Sequence, residues 1–193
     1  MSSFDRLAAV CEKVAAAPGR FEKTALVADY LRGLDPLDQR RALRFLAGQP
    51  VETKDGRKLA LGHAVLREAV IAASGFDLEL VRLCHREVGD TGETISLLMR
   101  NHAGERRPLS LAEAEQWYLR IYQKRQTAAR VELLTELYRA VEPLTLRYVV
   151  KVPYARRTAM SRRALFARAG RRQREMHGLL SRGNLVPRGR VPD

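Results

Sequence analysis

The sequence has few cysteines and few aromatic residues, and it has no long apolar run. Of its 193 residues, two are cysteines and 6% are aromatic. Cys11 and Cys84 lie far apart in apolar helical patterns, so we expect buried, inert thiols and no disulfide framework. No apolar stretch approaches the roughly 20 residues that cross a bilayer. The amino terminus lacks a secretory signal, because Asp5, Arg6 and Glu12 interrupt the apolar part of MSSFDRLAAVCEK. The expected location is therefore the cytoplasm.

The sequence patterns of metal and cofactor chemistry are also missing. The four histidines are scattered, and no two of them stand at a ligand-like spacing with a cysteine or carboxylate pair. The sequence has no glycine-rich phosphate loop, no dinucleotide-binding fingerprint and no nucleophilic serine or cysteine beside a base. We therefore expect no metal, no cofactor and no small-molecule substrate.

Acidic residues are scarce towards the carboxy terminus, where arginine is abundant. The whole sequence holds 35 basic and 22 acidic residues, a formal charge of +13, and 29 of the basic residues are arginine. From Arg147 onward, 13 basic residues are opposed by Glu175 and Asp193 alone, which leaves 22 basic and 20 acidic residues before Arg147. Because the planar guanidinium group matches pairs of phosphate oxygens, this segregation indicates a polyanionic partner. The alternative is a solvated, generally arginine-rich surface.

Apolar residues recur at the three- and four-residue spacings of amphipathic helices through nearly the whole chain. The first pattern joins Phe4, Leu7 and Cys11 and ends at Pro18. Further helices are predicted over 21–34, 37–47, 61–73, 77–88, 90–99, 110–122, 127–141, 144–152, 161–169 and 171–180. We predict an all-α fold of about ten helices in a single compact domain, residues 1–184, followed by a disordered tail, residues 185–193.

Two groups of apolar side chains are predicted to face the core. In the helix that Asp77 caps, the inward residues are Leu80, Val81, Leu83, Cys84 and Val88. The larger aromatic residues fall at core-like spacings, which favours packing over the stacking of single-stranded bases. These aromatic residues are Trp117, Tyr118, Tyr122, Tyr138 and Tyr148.

Gly89, Asp90, Thr91 and Gly92 connect two of the predicted helices. Gly89 is the expected end of one helix and Asp90 the expected N-cap of the next, with Glu93 at the capping-box position. A helix N-terminus presents unpaired amides and the positive end of the helix dipole, and glycine lets another backbone approach closely. The stretch therefore fits a phosphate-binding turn. Its spacing alone is also that of an ordinary junction between two helices.

Spaced glycines, apolar residues and charged residues recur over 56–98. They are Gly56, Arg57, Leu59, Gly62, Leu66, Ala69, Gly75, Gly89, Asp90, Gly92 and Glu93. Together they resemble the N-terminal DNA-binding domain of ATP-dependent DNA ligases, a family that has a Gly-Asp-Leu-Gly turn where this chain has residues 89–92. Weaker similarity begins near residue 4 and extends to about residue 184.

The resemblance implies an all-α domain that holds double-stranded DNA by its sugar–phosphate backbone, with little sequence preference. Asp90 is expected to organise the turn without touching DNA. The chain departs from the family near 152–157 and 181–184, where the usual Leu-Arg-x-Gly turn and an acidic residue before glycine are absent. The expected contact sites are Gly89, Asp90, Thr91, Gly92, Arg156, Arg157, Arg162, Arg163, Arg171, Arg172, Arg182, Gly183 and Asn184.

The family's Lys-x-Asp-Gly adenylation motif has no counterpart in these 193 residues. Lys54, Asp55 and Gly56 lack the intervening residue, and their polar loop offers nothing to activate a lysine nucleophile. We therefore expect a non-catalytic DNA-binding protein that assists a separately encoded ATP-dependent DNA ligase in repair or end joining. Two alternatives are a helical module that binds RNA or an acidic protein, and a ligase in its own right.

Overall fold

The computed structural model describes residues 3–52, 59, 61–102 and 104–154. These residues contain nine α-helices and one 3₁₀ turn. Within these residues there is no strand, and Ser3 and Ser110 form an isolated antiparallel bridge. The prediction of an all-α domain is confirmed. The helices are α1 (Phe4–Ala16), α2 (Arg20–Arg32), α3 (Pro36–Leu46), α4 (His63–Ser74), α5 (Leu78–Val88), α6 (Thr91–Met99), α7 (Leu111–Gln123), α8 (Thr127–Ala140) and α9 (Pro143–Lys151), and the 3₁₀ turn is Val152–Tyr154.

Local capping residues set several of the helix ends. Asp77 Oδ1 accepts a hydrogen bond from the third amide of α5 at 2.8 Å. Ser110 and Glu113 form the predicted capping box at the start of α7. Each cap of this kind stabilises a helix by about 1 kcal/mol. Gly75 and Gly89 end α4 and α5 with φ angles of 74° and 71°, which residues other than glycine seldom adopt.

An aromatic cluster holds α1, α3 and α7 together. The ring centroids of Phe4 and Phe45 are 5.6 Å apart, and those of Phe45 and Tyr118 are 5.5 Å apart. The Tyr118 hydroxyl donates to the Val149 carbonyl at 2.8 Å, which ties α7 to α9. The predicted packing role of the aromatic residues is confirmed, since Trp117, Tyr118, Tyr138 and Tyr148 are buried and Tyr122 packs against the edge of the core.

The prediction for the inward face of α5 is wrong at Leu83, whose exposed fraction is 44%. Helix α5 packs against α4 and α6, and it buries a narrow stripe that holds Val81 and Cys84. Leu83 follows Val81 by two residues, which is about 200° around a helix, and so it points outward. Leu80 and Val88 are half-buried at the edges of the stripe.

Both cysteines are free thiols within the core, as predicted. Burial raises the pKa of Cys11 to about 12 and the pKa of Cys84 to about 11. Since the thiolate is the reactive form, neither side chain is a nucleophile at neutral pH.

Two further predictions concern parts of the chain that the structure leaves undescribed. The helices predicted over 161–169 and 171–180 and the tail 185–193 lie outside the described residues. Where the structure does describe the chain, none of the helices is long and apolar enough to span a membrane.

Candidate nucleic-acid interface

The junction between α5 and α6 is built around Gly89 and Asp90. The Gly89 amide donates to the His85 carbonyl at 2.8 Å and closes α5. Asp90 Oδ1 accepts from the Glu93 amide at 2.8 Å, and the Asp90 carbonyl accepts from the Thr94 hydroxyl at 2.7 Å. Asp90 therefore caps α6 with both its side chain and its backbone. We call the residues 89–92 the Gly89 turn.

Glu93 does not complete the capping box that its position predicts. Its side chain is only 8% exposed, and Oε2 lies 2.6 Å from Nη2 of Arg147. Arg147 is 3% exposed and reaches Glu12 Oε1 at 2.9 Å, and Glu12 also accepts from the Tyr148 hydroxyl. The Arg147–Glu93 contact is an ion pair by distance, without an aligned hydrogen bond at Nη2. This ionic cluster (Glu12, Glu93 and Arg147) joins α1, α6 and α9 beneath the Gly89 turn, with Glu93 and Arg147 buried and Glu12 partly exposed.

Burial raises the pKa of Glu93 above its ordinary value, while the charges of Arg147 and Lys151 oppose that shift. A carboxyl group whose pKa is raised by folding favours the folded state below its unfolded pKa, and this contribution is lost as the pH rises through the folded pKa. For Glu93 this loss of stability begins near pH 4.5, the ordinary pKa of a glutamate side chain.

We expect Glu93→Gln to become more stable relative to the wild type as the pH rises above about 4.5. Denaturant titrations of both proteins across this pH range measure the difference in unfolding free energy. Glu113→Gln is the matched control, because the Ser110 amide lowers the pKa of Glu113 and its contribution is lost as the pH falls. This expectation would be contradicted if the difference in unfolding free energy between Glu93→Gln and the wild type did not change with pH. It would also be contradicted if that difference changed with pH in the same direction as the difference for Glu113→Gln.

Gly92 lies where α6 packs tightly against α9. A Cβ atom at this position would lie 2.7 Å from the Arg147 carbonyl oxygen and 3.1 and 3.2 Å from side-chain carbons of Lys151. The backbone that approaches Gly92 is therefore that of α9, and helix packing explains the glycine without a ligand. A DNA contact at Gly92 stays a prediction.

Lys151 pairs with the carboxylate that caps α6. Its Nζ lies 3.2 Å from Asp90 Oδ1, and its side chain is 9% exposed. Arg147 and Lys151 are two of the 13 basic residues counted from Arg147 onward, but both side chains are buried and paired with acidic side chains of the protein. These two cations of the basic carboxy-terminal segment are therefore not presented to a polyanion, because α9 is buried from Thr145 to Lys151.

An exposed cavity lies beside the Gly89 turn, between α4, α5 and α6. Its volume is about 160 Å³. The rings of His63 and His85 stand 6.5 Å apart at its rim, although the sequence separates them and predicts no relation between them. The remaining polar lining residues are Arg67, Arg82, Arg86, Thr91 and Thr94, and the apolar lining residues, which form the floor, are Leu66, Val70, Val81 and Ile95. We call this the His63–His85 cavity.

The other predicted contact residues lie outside the part of the chain that the structure describes. They are Arg156, Arg157, Arg162, Arg163, Arg171, Arg172, Arg182, Gly183 and Asn184, and their DNA contacts stay predictions. Lys54, Asp55 and Gly56 are also outside it. Among the described residues, no three histidine, cysteine or acidic side chains are grouped as a metal site requires.

Comparison with known proteins identifies relatives along most of the chain. The family described as DNA ligase N terminus matches residues 3–153. A probable DNA ligase of Opitutus terrae is 27% identical over 183 residues, which cover 78% of this chain and 18% of the relative. A DNA ligase of Methanothrix thermoacetophila is 28% identical, covering 79% of this chain and 29% of the relative. A probable DNA ligase of Koribacter versatilis is 30% identical, covering 75% and 25%.

The chain thus spans between 18% and 29% of the length of these relatives. The family match includes the capped junction at Gly89, the cavity beside it and helix α9. Because the match extends over well more than half of the 193 residues, this chain belongs to the family of DNA ligase N-terminal domains.

Proposed function

We propose that this chain holds double-stranded DNA, nicked or intact, by its sugar–phosphate backbone. The observation that carries the proposal is the match to the DNA ligase N terminus over residues 3–153, which contains the Gly89 turn. The similar proteins are DNA ligases, and a domain that belongs to a ligase has DNA as its natural ligand.

The charges around the Gly89 turn support a phosphate contact there. The N-terminus of α6 lies at this turn, where a helix dipole favours an anion. Asp90 would repel a phosphate, but Lys151 lies 3.2 Å from its carboxylate and offsets that charge. Arg67, Arg82 and Arg86 add cations on the α4 and α5 side of the turn. Contacts of this kind position a duplex without reading its sequence.

We further propose that the chain takes no part in the chemistry of ligation and assists a separate ATP-dependent DNA ligase. No Lys-x-Asp-Gly motif occurs in the 193 residues, and covalent adenylation needs an activated lysine. Incubation with radioactive ATP should therefore leave the chain unlabelled. A labelled lysine–AMP adduct would instead make it a ligase.

Binding to duplex DNA should be steeply dependent on salt. If the chain neutralises about six phosphates, log Kd changes with log salt concentration with a slope of magnitude about 5. Fluorescence anisotropy with labelled nicked and intact duplexes of the same sequence measures this slope and shows which of the two is preferred. Competition with duplex RNA tests the alternative of an RNA-binding module. The absence of duplex binding at low salt would overturn the proposal.

A further inference from the structure

We infer that the His63–His85 cavity is a binding site for one phosphate group together with the sugar that carries it. The inference rests on the proposed function, because the sugar–phosphate unit it names is a unit of the DNA backbone. It assigns to the fold a subsite that lies beside the Gly89 turn and is formed by three helices.

The rim of the cavity selects an anion. Every charged or titratable side chain that lines it is an arginine or a histidine, and no carboxylate is among the described lining residues. Arg82 pairs with Glu79 and Arg86 with Glu87, and both of these acids lie away from the cavity lining. No ion pair joins Arg67 to another described residue. Residues 1–146 as a whole are nearly balanced in charge. The excess of cationic side chains around the cavity is therefore a local property of this site.

Two threonines of α6 hold the two imidazole rings. Thr91 Oγ1 lies 3.3 Å from His63 Nδ1, and Thr94 Oγ1 lies 3.3 Å from His85 Nδ1. Thr94 has a single hydroxyl hydrogen, which it donates to the Asp90 carbonyl at the shorter distance of 2.7 Å. The longer contact is therefore a donation from Nδ1 of His85 to Thr94. Neutral His85 then has only a lone pair on its second nitrogen, and it must take up a proton to donate to a phosphate.

No carboxylate of the described cavity lining accompanies His85. The cavity places further positive charge around the ring, and the two carboxylates at this end of α6, Asp90 and Glu93, are paired with Lys151 and Arg147. A phosphate supplies the negative charge that the rim lacks. The cationic and titratable groups that share the cavity with His85 are His63 and Arg67 from α4 and Arg82 and Arg86 from α5.

The cavity has room for the sugar that carries the phosphate. Its volume is about 160 Å³, and Leu66, Val70, Val81 and Ile95 give it an apolar floor. These four side chains are already withdrawn from water, so a deoxyribose ring would gain van der Waals contacts with them rather than bury new apolar area. A sugar phosphate makes contacts here that a bare inorganic ion lacks, and it should therefore bind more tightly than inorganic phosphate.

The first test is an NMR titration of the histidine ring signals. The probes are thymidine 3′,5′-bisphosphate, inorganic phosphate and thymidine, and His102, on the loop after α6, is the internal control. We expect the His63 and His85 signals to shift saturably with the bisphosphate, at lower concentration than with inorganic phosphate. Shifts equal to those of His102, or equal shifts with thymidine, would overturn the inference.

The second test separates this inference from the proposed function. His63→Ala combined with His85→Ala should weaken duplex binding about tenfold, as the loss of one charge-assisted hydrogen bond would, while His102→Ala should leave it unchanged. Wild-type duplex binding with no loss in the double variant would overturn the cavity assignment and leave the proposed function standing. If the wild type bound no duplex but its His63 and His85 signals still shifted with the bisphosphate, the function would fail and the sugar–phosphate site would stand.

Discussion

Replacing Arg147 with methionine should lower the free energy of unfolding by about 3–5 kcal/mol, which is the cost of leaving a buried charge without its partner. Arg147 is 3% exposed and contacts both Glu12 and Glu93. Methionine fills a similar volume, so the expected loss comes from the carboxylates rather than from a cavity. The largest part of the loss comes from Glu93, because its carboxylate is buried and would lose its ion-pair partner Arg147. Urea or guanidinium denaturation monitored by circular dichroism measures the change.

Arg82→Met is the matched control for this substitution. Arg82 is 57% exposed and pairs with Glu79 on the surface of α5, and such exposed pairs contribute about 0.5 kcal/mol or less. Adding Glu93→Gln to the Arg147→Met variant should restore part of the lost stability, since it removes the stranded carboxylate. If Arg147→Met costs no more than the control, the cluster does not stabilise the fold.

Gly92→Ala should also destabilise the protein, by about 1–3 kcal/mol, although alanine favours a helix more than glycine does. The added methyl group would meet the Arg147 carbonyl oxygen at 2.7 Å, a distance that a backbone atom can relieve only if α6 and α9 separate. The separation would also disturb the contact of Glu93 with Arg147 on α9 and the contact of Lys151 with Asp90 at the start of α6. Thermal and denaturant unfolding of the variant measure the loss.

Gly33→Ala is the control here, because a Cβ atom at Gly33 would have ordinary contacts at 3.6 and 3.9 Å. Its φ of −82° also suits alanine, so its stability should stay within about 0.5 kcal/mol of the wild type or rise slightly. Loss of duplex affinity in a Gly92→Ala protein of unchanged stability would contradict the packing explanation and would favour a direct DNA contact at Gly92.

The helices and their ends were predictable because the information for them is local. Apolar spacing within a few residues identified the helices in the described part of the chain, and short-range caps at Asp77, Asp90 and Ser110 identified their starts. Gly89 was predicted as the end of α5 for the same reason. The family resemblance also followed from short sequence patterns around this turn, and the match over residues 3–153 confirms it.

The candidate site was only partly predictable, since charge type says nothing about which way a side chain points. In the sequence, Arg147 and Lys151 cannot be told apart from cations on the surface. In the structure, both are buried and paired with acidic side chains of α1, α6 and the Gly89 turn. The two histidines of the cavity belong to different helices, α4 and α5, which come together only in the packed fold. Leu83 shows the same limit for apolar residues, because it is a hydrophobic residue on the outer side of a narrow stripe.

The sequence by itself determined that this protein is helical, where most of its helices start and stop, and that it resembles the DNA-binding part of a ligase. These properties depend on neighbours within about one helical turn. Tertiary structure decided which glycine approaches a backbone, which cations are internal, and which histidines share a cavity. Those outcomes depend on contacts between helices far apart in the chain, and they become fixed only when α4, α5, α6 and α9 pack together.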